Sequence, residues 1–185
     1  MSLFTGMSRW VVMFAPLIVV FAMGSMINRL RASTAQLIFY GFSALMGLSI
    51  SYIFMIYTSV SIAQTFLVTA IAFAGLSLYG YTTKRDISGM GSFLIMGVIG
   101  LIVASIINIW MQSPALMYAI SILGVLIFAG LTAYDTQKIK NTYIQMARNG
   151  QSEWIEKSAL MGALSLYLDF LNMFMFLLHL FGNRN

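Results

Sequence analysis

Asp169 is the residue whose type and position point most directly to chemistry. It lies in the middle of the apolar run GALSLYLDFLNMF, residues 162–174, which contains no other charged residue. A charged residue at the centre of a membrane-spanning helix costs about 2.5–3.5 kcal/mol even on lenient insertion scales. Such residues therefore usually face the interior of a helix bundle and mark an ion pathway, a proton relay or a switch. We interpret Asp169 as a functional residue.

A stripe of small and polar residues surrounds Asp169 on one face of the predicted helix. Gly162, Ser165 and Asn172 are spaced from Asp169 by three, four or seven residues, which places all four on the same side. The opposite face suits lipid or a neighbouring helix and consists of Leu164, Leu168, Leu171 and Met175. The pattern predicts a supporting polar stripe, with a partner for the carboxylate supplied by another helix.

A second acid, Asp135, lies at the end of the preceding apolar segment, in GLTAYDTQKIK. Taken alone, it could be a helix-end residue paired with Lys138 or Lys140. Taken with Asp169, it lies on the consecutive, antiparallel helix. Two carboxylates close together in a bundle of low dielectric cannot both ionise at low cost, so they share a proton. When deprotonated, they attract a hard cation such as Ca²⁺. The pair predicts pH sensing and transient Ca²⁺ binding.

The depths of the two acids do not match on simple helix boundaries. Asp169 lies twelve residues inside Lys157, about 18 Å along a helix, whereas Asp135 lies five residues before Lys140, about 8 Å. Contact requires either that the Asp135 helix continues past Lys140 or that the Asp169 helix begins outside the membrane. Otherwise the two acids do not touch.

The remaining ionisable residues suggest structural roles. Asp86 follows two basic residues in a turn and could cap the next helix or meet those bases, and His179 is predicted at the membrane interface. The connection before the last span is interpreted as a solvated charge cluster, formed by Arg148, Glu153, Glu156 and Lys157. The sequence contains no nucleotide-binding glycine loop, HExxH, nucleophile elbow or serine triad. We expect neither an enzyme nor a bound cofactor.

The composition is that of an all-α integral membrane protein. Of the 185 residues 60% are hydrophobic and 8% are charged, with a mean hydropathy of +0.89, whereas about a quarter of the residues of soluble domains are charged. Apolar and polar residues do not alternate, which favours helices over strands. The absence of cysteine excludes disulfides. In a membrane protein an excess of Lys and Arg over Asp and Glu mainly sets which side of the membrane each loop faces. We therefore do not interpret the positive net charge as a sign of nucleic-acid binding, and we expect no nucleic-acid partner.

Six apolar runs are long enough to span the bilayer, and together they make residues 1–185 a single transmembrane domain. The predicted spans are residues 10–27, 37–57, 62–81, 93–111, 115–138 and 158–181. Eight of the ten Lys and Arg residues lie in alternate connections. The positive-inside rule therefore predicts that these connections are cytoplasmic.

Three segments resemble the Bax inhibitor-1 family, the transmembrane Bax-inhibitor-motif proteins, in its bacterial branch. They are GYTTKRDIS from Gly80, FAGLTAYDTQKIK from Phe128 and GALSLYLDFLNMF from Gly162. The resemblance implies a seven-helix bundle with the last helix at its centre, in the bacterial inner membrane. It also implies a pH-sensitive calcium leak governed by an aspartate pair on the last two helices. By position in the motifs these aspartates are Asp135 and Asp169, which the resemblance expects to be in contact.

The sequence departs from the family pattern at its start. Six spans are found where the family has seven, and the first span looks like the family's second, so the resemblance expects the first family helix to be absent. The family is described with a basic residue that closes the pore against an aspartate. Arg29 and Arg31 are the candidates for this role, although no motif assigns it to either.

The resulting hypothesis is a Ca²⁺-permeable leak gated by protonation of Asp135 and Asp169. One alternative is a non-conducting regulator that binds a membrane protease or another membrane protein, through the residues before Arg9 or the last connection. Another is a proton-coupled cation exchanger. The partners expected across these alternatives are the lipid bilayer, Ca²⁺, protons and a membrane protein.

Overall fold

The structure is a computed structural model that describes residues 32–150 and 152–184. The helices in these ranges are α1 (Ala32–Ile50), α2 (Ile53–Ile56), α3 (Ser59–Thr82), α4 (Met90–Met111), α5 (Pro114–Arg148) and α6 (Ser152–Phe181). The described part of the chain is thus all-α apart from one isolated backbone bridge near its end. The predicted span 10–27 lies outside the described residues.

Five segments of the described chain are long and apolar enough to cross a membrane. Four of them are α3, α4, α5 and most of α6, and the fifth, Ser33–Ile56, combines α1 and α2. The span predicted at 37–57 is therefore interrupted, because the regular helix ends at Ile50 and resumes at Ile53. The outer faces carry large exposed apolar side chains, as expected for surfaces that contact lipid.

Helices α5 and α6 form a long hairpin that the predicted spans underestimate. Helix α5 ends at Arg148 rather than near residue 138, and α6 begins at Ser152 rather than near residue 158. The polar segment after Lys138 contains no proline or glycine before Gly150, so nothing interrupts the helix there. Gly150 adopts a positive φ of 69°, which is the conformation that ends a helix and reverses the chain. The helix that carries Asp135 does continue past Lys140.

The turn between α4 and α5 is short, as the sequence predicts. Gln112 ends α4 in a left-handed conformation with a φ of 47°. The Asn108 side chain accepts a hydrogen bond from the Ser113 N–H, and the Ser113 hydroxyl accepts one from the Leu116 N–H. Pro114 occupies the first turn of α5, where its missing N–H costs nothing. These interactions close the turn without a longer loop.

Helices α5 and α6 form the centre of the bundle. Helix α5 packs against α3, α4 and α6, while α6 packs against α1, α3 and α5. The main apolar cluster joins α4, α5 and α6 and includes Leu101, Phe128 and Met173. A smaller cluster places Phe42 of α1 against Leu164 of α6. The last helix is therefore covered on several sides by other described helices.

The two ends of the bundle differ in charge. Six of the seven described basic residues lie at one end, which we call the basic end: Lys84, Arg85, Lys138, Lys140, Arg148 and Lys157. At the opposite end, the Thr58 N–H donates to the Asn183 carbonyl and the Asn183 N–H donates to the Ser61 hydroxyl. The last described residues thus tie the end of α6 to the start of α3.

Candidate functional site

Two close glycine contacts define how α5 and α6 are aligned. A Cβ atom on Gly162 would meet the Ile139 side chain at 2.6 Å, and one on Gly124 would meet the Phe176 ring at 2.5 Å. Asp135 lies four residues before Ile139, and Asp169 lies seven residues after Gly162. Asp169 is therefore about three residues, or ~5 Å, further from the hairpin turn than Asp135. The two acids lie within one helical turn of each other in depth.

The Asp169 carboxylate is enclosed by the bundle. Only 5% of the residue is exposed, and its Oδ2 atom has no hydrogen-bond partner among the described residues. Asp135 is half-buried on the neighbouring helix, near enough for its charge to act on Asp169. A buried carboxylate without full hydrogen bonding is costly, so its retention calls for an explanation other than stability.

A cavity of about 690 Å³, which we call the hairpin cavity, opens between α5 and α6 at the basic end. Asp135 and Thr136 line its α5 side, and Gly162 and Ser165 line its α6 side, with Tyr81 contributed by α3. The walls are mostly apolar, but the inner part contains the Asp135 carboxylate and the Ser165 hydroxyl. The cavity therefore provides an approach from the basic end to Asp135.

The members of the predicted polar stripe have different surroundings. Gly162 and Ser165 line the hairpin cavity, whereas the Asn172 side chain donates a hydrogen bond to the Leu168 carbonyl of its own helix. On the opposite face Leu164 is buried against α1, so this face meets a neighbouring helix rather than lipid. The candidate basic partners, Arg29 and Arg31, lie outside the described residues.

The two lysines that could pair with Asp135 make other contacts. The Lys140 ammonium donates to the Tyr81 carbonyl at 2.7 Å and lies 5.2 Å from the centre of the Tyr81 ring. The Lys138 ammonium lies over the Tyr134 ring, at 5.9 Å. Within the described residues neither lysine forms an ion pair with Asp135, although the Lys138 charge still acts on it. Asp135 faces the cavity instead.

Gln137, two residues after Asp135, attaches α5 to the connection between α3 and α4. Its side-chain amide donates to the Arg85 carbonyl at 2.8 Å and accepts from the Ile87 N–H at 3.0 Å. Only 6% of Gln137 is exposed. Sequence reasoning missed this residue, because a glutamine beside a basic end reads as a solvated side chain. No local pattern could have found this role, because the two backbone partners lie about 50 residues earlier in the chain.

The interpretation of the last connection as a solvated charge cluster is wrong for Lys157. Arg148, Glu153 and Glu156 are exposed, but Lys157 is 7% exposed. Its ammonium lies 2.9 Å from the Glu153 carboxylate and 5.1 Å from the centre of the Trp154 ring. The hairpin buries it because α6 starts about six residues earlier than predicted and packs against the extended part of α5.

Asp86 and His179 lie away from the acids. The Asp86 carboxylate accepts a hydrogen bond from the Ser88 N–H at 2.9 Å, and its bonds to Ser88 hold the pKa of this fully exposed acid below the usual range. It thus organises the turn before α4 rather than contacting the adjacent bases. His179 is half-buried at the end opposite the basic end, where its ring meets the edge of Tyr57.

The described residues contain no group of three or more His, Cys, Asp and Glu side chains that could hold a metal ion. Asp135 and Asp169 alone supply two carboxylates, while resident Ca²⁺ sites usually provide six to eight oxygen ligands. A cation at this position would complete its shell with water and with hydroxyl or carbonyl oxygens. Two carboxylates alone therefore do not make a resident Ca²⁺ site.

The chain is similar to known bacterial proteins along its length. The family described as Inhibitor of apoptosis-promoting Bax1 matches residues 1–185. The inner membrane protein YbhL of Escherichia coli is 51% identical over 170 residues, which cover 92% of this chain and 72% of that protein. A protein of Caulobacter vibrioides is 51% identical over 174 residues, 94% of this chain and 69% of the relative. The Rickettsia prowazekii protein RP147 is 44% identical over 174 residues, which cover 94% of this chain and 72% of that protein.

Proposed function

Because the chain belongs to the Bax inhibitor-1 family, we propose that it is a pH-sensitive cation leak, permeable to Ca²⁺, gated by Asp135 and Asp169. The observation that carries the proposal is the buried Asp169 carboxylate, which lacks a full set of hydrogen bonds and lies within electrostatic reach of Asp135. Ionisable groups inside membrane bundles are expensive and mark ion or proton pathways.

The gating step follows from the charge on the two acids. With a shared proton the pair carries one negative charge, and the proton can hydrogen-bond the two carboxylates or a neighbouring oxygen. With both acids ionised the two negative charges repel each other across α5 and α6 in a region of low dielectric. We expect this repulsion to separate the helices beside the hairpin cavity, so that the path opens as the pH rises.

The path that we propose begins at the basic end and runs through the hairpin cavity. Asp135 is the first acid that an ion would meet, and Asp169 lies about one helical turn deeper. Ser165 and Gly162 line the route between α5 and α6, the first with a hydroxyl oxygen and the second with no side chain. Two carboxylates attract Ca²⁺ without providing enough ligands to retain it, which suits a permeant ion.

Calcium flux into liposomes that contain the purified chain tests the proposal. Flux is compared at about pH 8 and about pH 6, on either side of neutrality, for the wild type, Asp135→Asn and Asp169→Asn. The matched control is Glu156→Gln, which removes an exposed carboxylate from the same helix as Asp169. We expect both Asp variants to change the amount of flux and to lose most of its pH response, while the control keeps both.

The same measurement separates the alternative functions. Wild-type flux whose pH response survives in Asp169→Asn contradicts the gating proposal. Flux that requires an opposing proton gradient indicates a proton-coupled exchanger. Folded protein that conducts nothing at either pH contradicts a leak and favours a non-conducting regulator that binds another membrane protein.

A further inference from the structure

Two lysines face each other across the outer part of the hairpin cavity. Lys140 lines it from α5, as does Lys138 closer to Asp135, and Lys157 lines it from α6. Ile139 and Gly162 are in contact and so lie at the same depth. Lys140 lies one residue closer to the hairpin turn than Ile139, and Lys157 lies five residues closer to it than Gly162. The two lysines are therefore about four residues apart in depth. This offset is about one helical turn, or ~6 Å. Their offset in depth is thus small enough for a single anionic group to lie between the two walls beside both lysines.

Lys157 is buried, which is unusual for a lysine near the turn of a helical hairpin. It is 7% exposed, and its carboxylate partner, Glu153, is a side chain that is itself 68% exposed. A buried ammonium has three N–H donors, and the one ion pair with Glu153 satisfies part of this capacity. Because Glu153 is free to turn toward solvent, an entering anion can take its place beside Lys157.

The position of the lysines matches the headgroup layer of a membrane. The Lys140 ammonium binds the Tyr81 carbonyl, one residue before the end of α3, so this level is where a membrane-spanning helix stops. Tyr81 and Trp154 also line the cavity, and such aromatic residues are enriched at the membrane interface. Apart from Asp135, Thr136 and Ser165, the deeper walls of the cavity are apolar and include Met161 and Leu166. The two ammonium groups thus lie at the level of the lipid headgroups, and the apolar surface deeper in the cavity suits an acyl chain.

We propose that the hairpin cavity binds an anionic phospholipid, with its phosphate between Lys140 and Lys157 and an acyl chain along the apolar wall of α5 and α6. Basic pockets between membrane helices bind anionic headgroups in this way. Charge complementarity favours this occupant, because six of the seven described basic residues lie at the same end of the bundle. A lipid bound here would occupy the entrance of the path proposed for cations. Because the test below measures binding rather than flux, its outcome does not depend on the calcium leak.

Native mass spectrometry of the full chain in a neutral detergent tests the proposal. The probes are phosphatidylglycerol and phosphatidylcholine with identical acyl chains, titrated separately. We expect the wild type to retain phosphatidylglycerol at least about tenfold more tightly, since each lysine near a headgroup favours the anionic lipid. The double variant Lys140→Gln with Lys157→Gln is expected to lose this preference.

The matched control is Lys84→Gln with Arg148→Gln, which removes two positive charges from the basic end without touching the hairpin cavity. It is expected to keep the preference for phosphatidylglycerol. A second variant, Ala159→Trp, fills the cavity but keeps both lysines, and it is also expected to lose the preference. If the double lysine variant does not fold, the lipid preference of Ala159→Trp tests the proposal in its place. Equal retention of the two lipids by the wild type, or an equal loss in the control, overturns the proposal.

Discussion

On the side of α5 that meets α3 and α4, a glycine-to-backbone contact and hydrogen bonds hold the helices together. Near the basic end, the side of α5 toward α6 contains the hairpin cavity, the close contact of Gly162 is with the Ile139 side chain, and Asp169 lacks full hydrogen bonding. Gly80 brings the α3 backbone against the Ala133 carbonyl, and Gln137 bonds the backbone on either side of Asp86. Further from the basic end α5 and α6 pack closely again, with the Phe128 and Phe176 rings stacked at 6.0 Å.

This difference indicates which helix interface can respond to charge. A contact between backbones has no side chain that can rotate away, so α3, α4 and α5 behave as one unit near Asp135. The α5–α6 interface beside the acids already contains empty volume and a buried acid whose Oδ2 atom has no hydrogen-bond partner among the described residues. The following predictions test this comparison, starting with the variant expected to have the largest effect.

Gly80→Ala is expected to have the largest effect on stability. The new Cβ would collide with the Ala133 carbonyl, so the helices must separate, and we expect the free energy of unfolding to fall by about 3 kcal/mol, at the upper end for overpacked cores. Thermal unfolding in detergent, followed by circular dichroism, measures the loss. The control is Gly75→Ala in the same helix, where a Cβ meets nothing within 4 Å. Equal melting temperatures for the two variants would show that the α3–α5 contact is not tight.

Gln137→Leu removes the attachment between α5 and the connection from α3 to α4. It abolishes two hydrogen bonds and leaves the Ile87 N–H and the Arg85 carbonyl without their partner. We expect a loss of about 2 kcal/mol, since each bond contributes ~1 kcal/mol and unsatisfied groups add to the cost. Gln145→Leu, at an exposed position of the same helix, is the control. An unchanged melting temperature in Gln137→Leu would argue against α3, α4 and α5 acting as one unit.

Asp169→Asn is expected to stabilise the protein while it abolishes pH-dependent flux. The change keeps the size of the side chain and removes a buried charge that lacks full hydrogen bonding. At about pH 8 we expect the free energy of unfolding to rise by ~1 kcal/mol, because unpaired buried charge destabilises a bundle. Glu156→Gln should leave the melting temperature unchanged. If Asp169→Asn lowers the melting temperature instead, the carboxylate stabilises the fold and its retention needs no functional explanation.

Asp86→Ala is expected to have the smallest effect, and only on the pH dependence of stability. Hydrogen bonds from Ser88 hold the Asp86 pKa below its usual value, so the acid stabilises the folded state above its unfolded pKa. This contribution is lost as the pH falls through the lower, folded pKa. Melting temperatures between about pH 5 and about pH 2 should therefore fall slightly more for the wild type than for the variant. Parallel curves would contradict a role for this bond.

The class of the protein and the two acids could be predicted from the sequence because both depend on local chemistry. Long apolar runs predict membrane helices wherever they occur, and an aspartate inside such a run is conspicuous without knowledge of its neighbours. The motifs around Asp135 and Asp169 likewise indicated the family, which the comparisons confirmed. Their roles as a pair stay a prediction.

The tertiary structure alone decided what surrounds these residues. Composition predicted that the polar segment after Lys138 leaves the helix, yet α5 continues to Arg148 because no residue breaks it before Gly150. That extension places α5 beside α6 over a longer distance, which buries Lys157, encloses the hairpin cavity and brings Asp135 within a turn of Asp169. Burial and alignment depend on contacts between residues far apart in the chain. Local pattern therefore identified the charged residues, and helix packing determined which of them lie inside the protein.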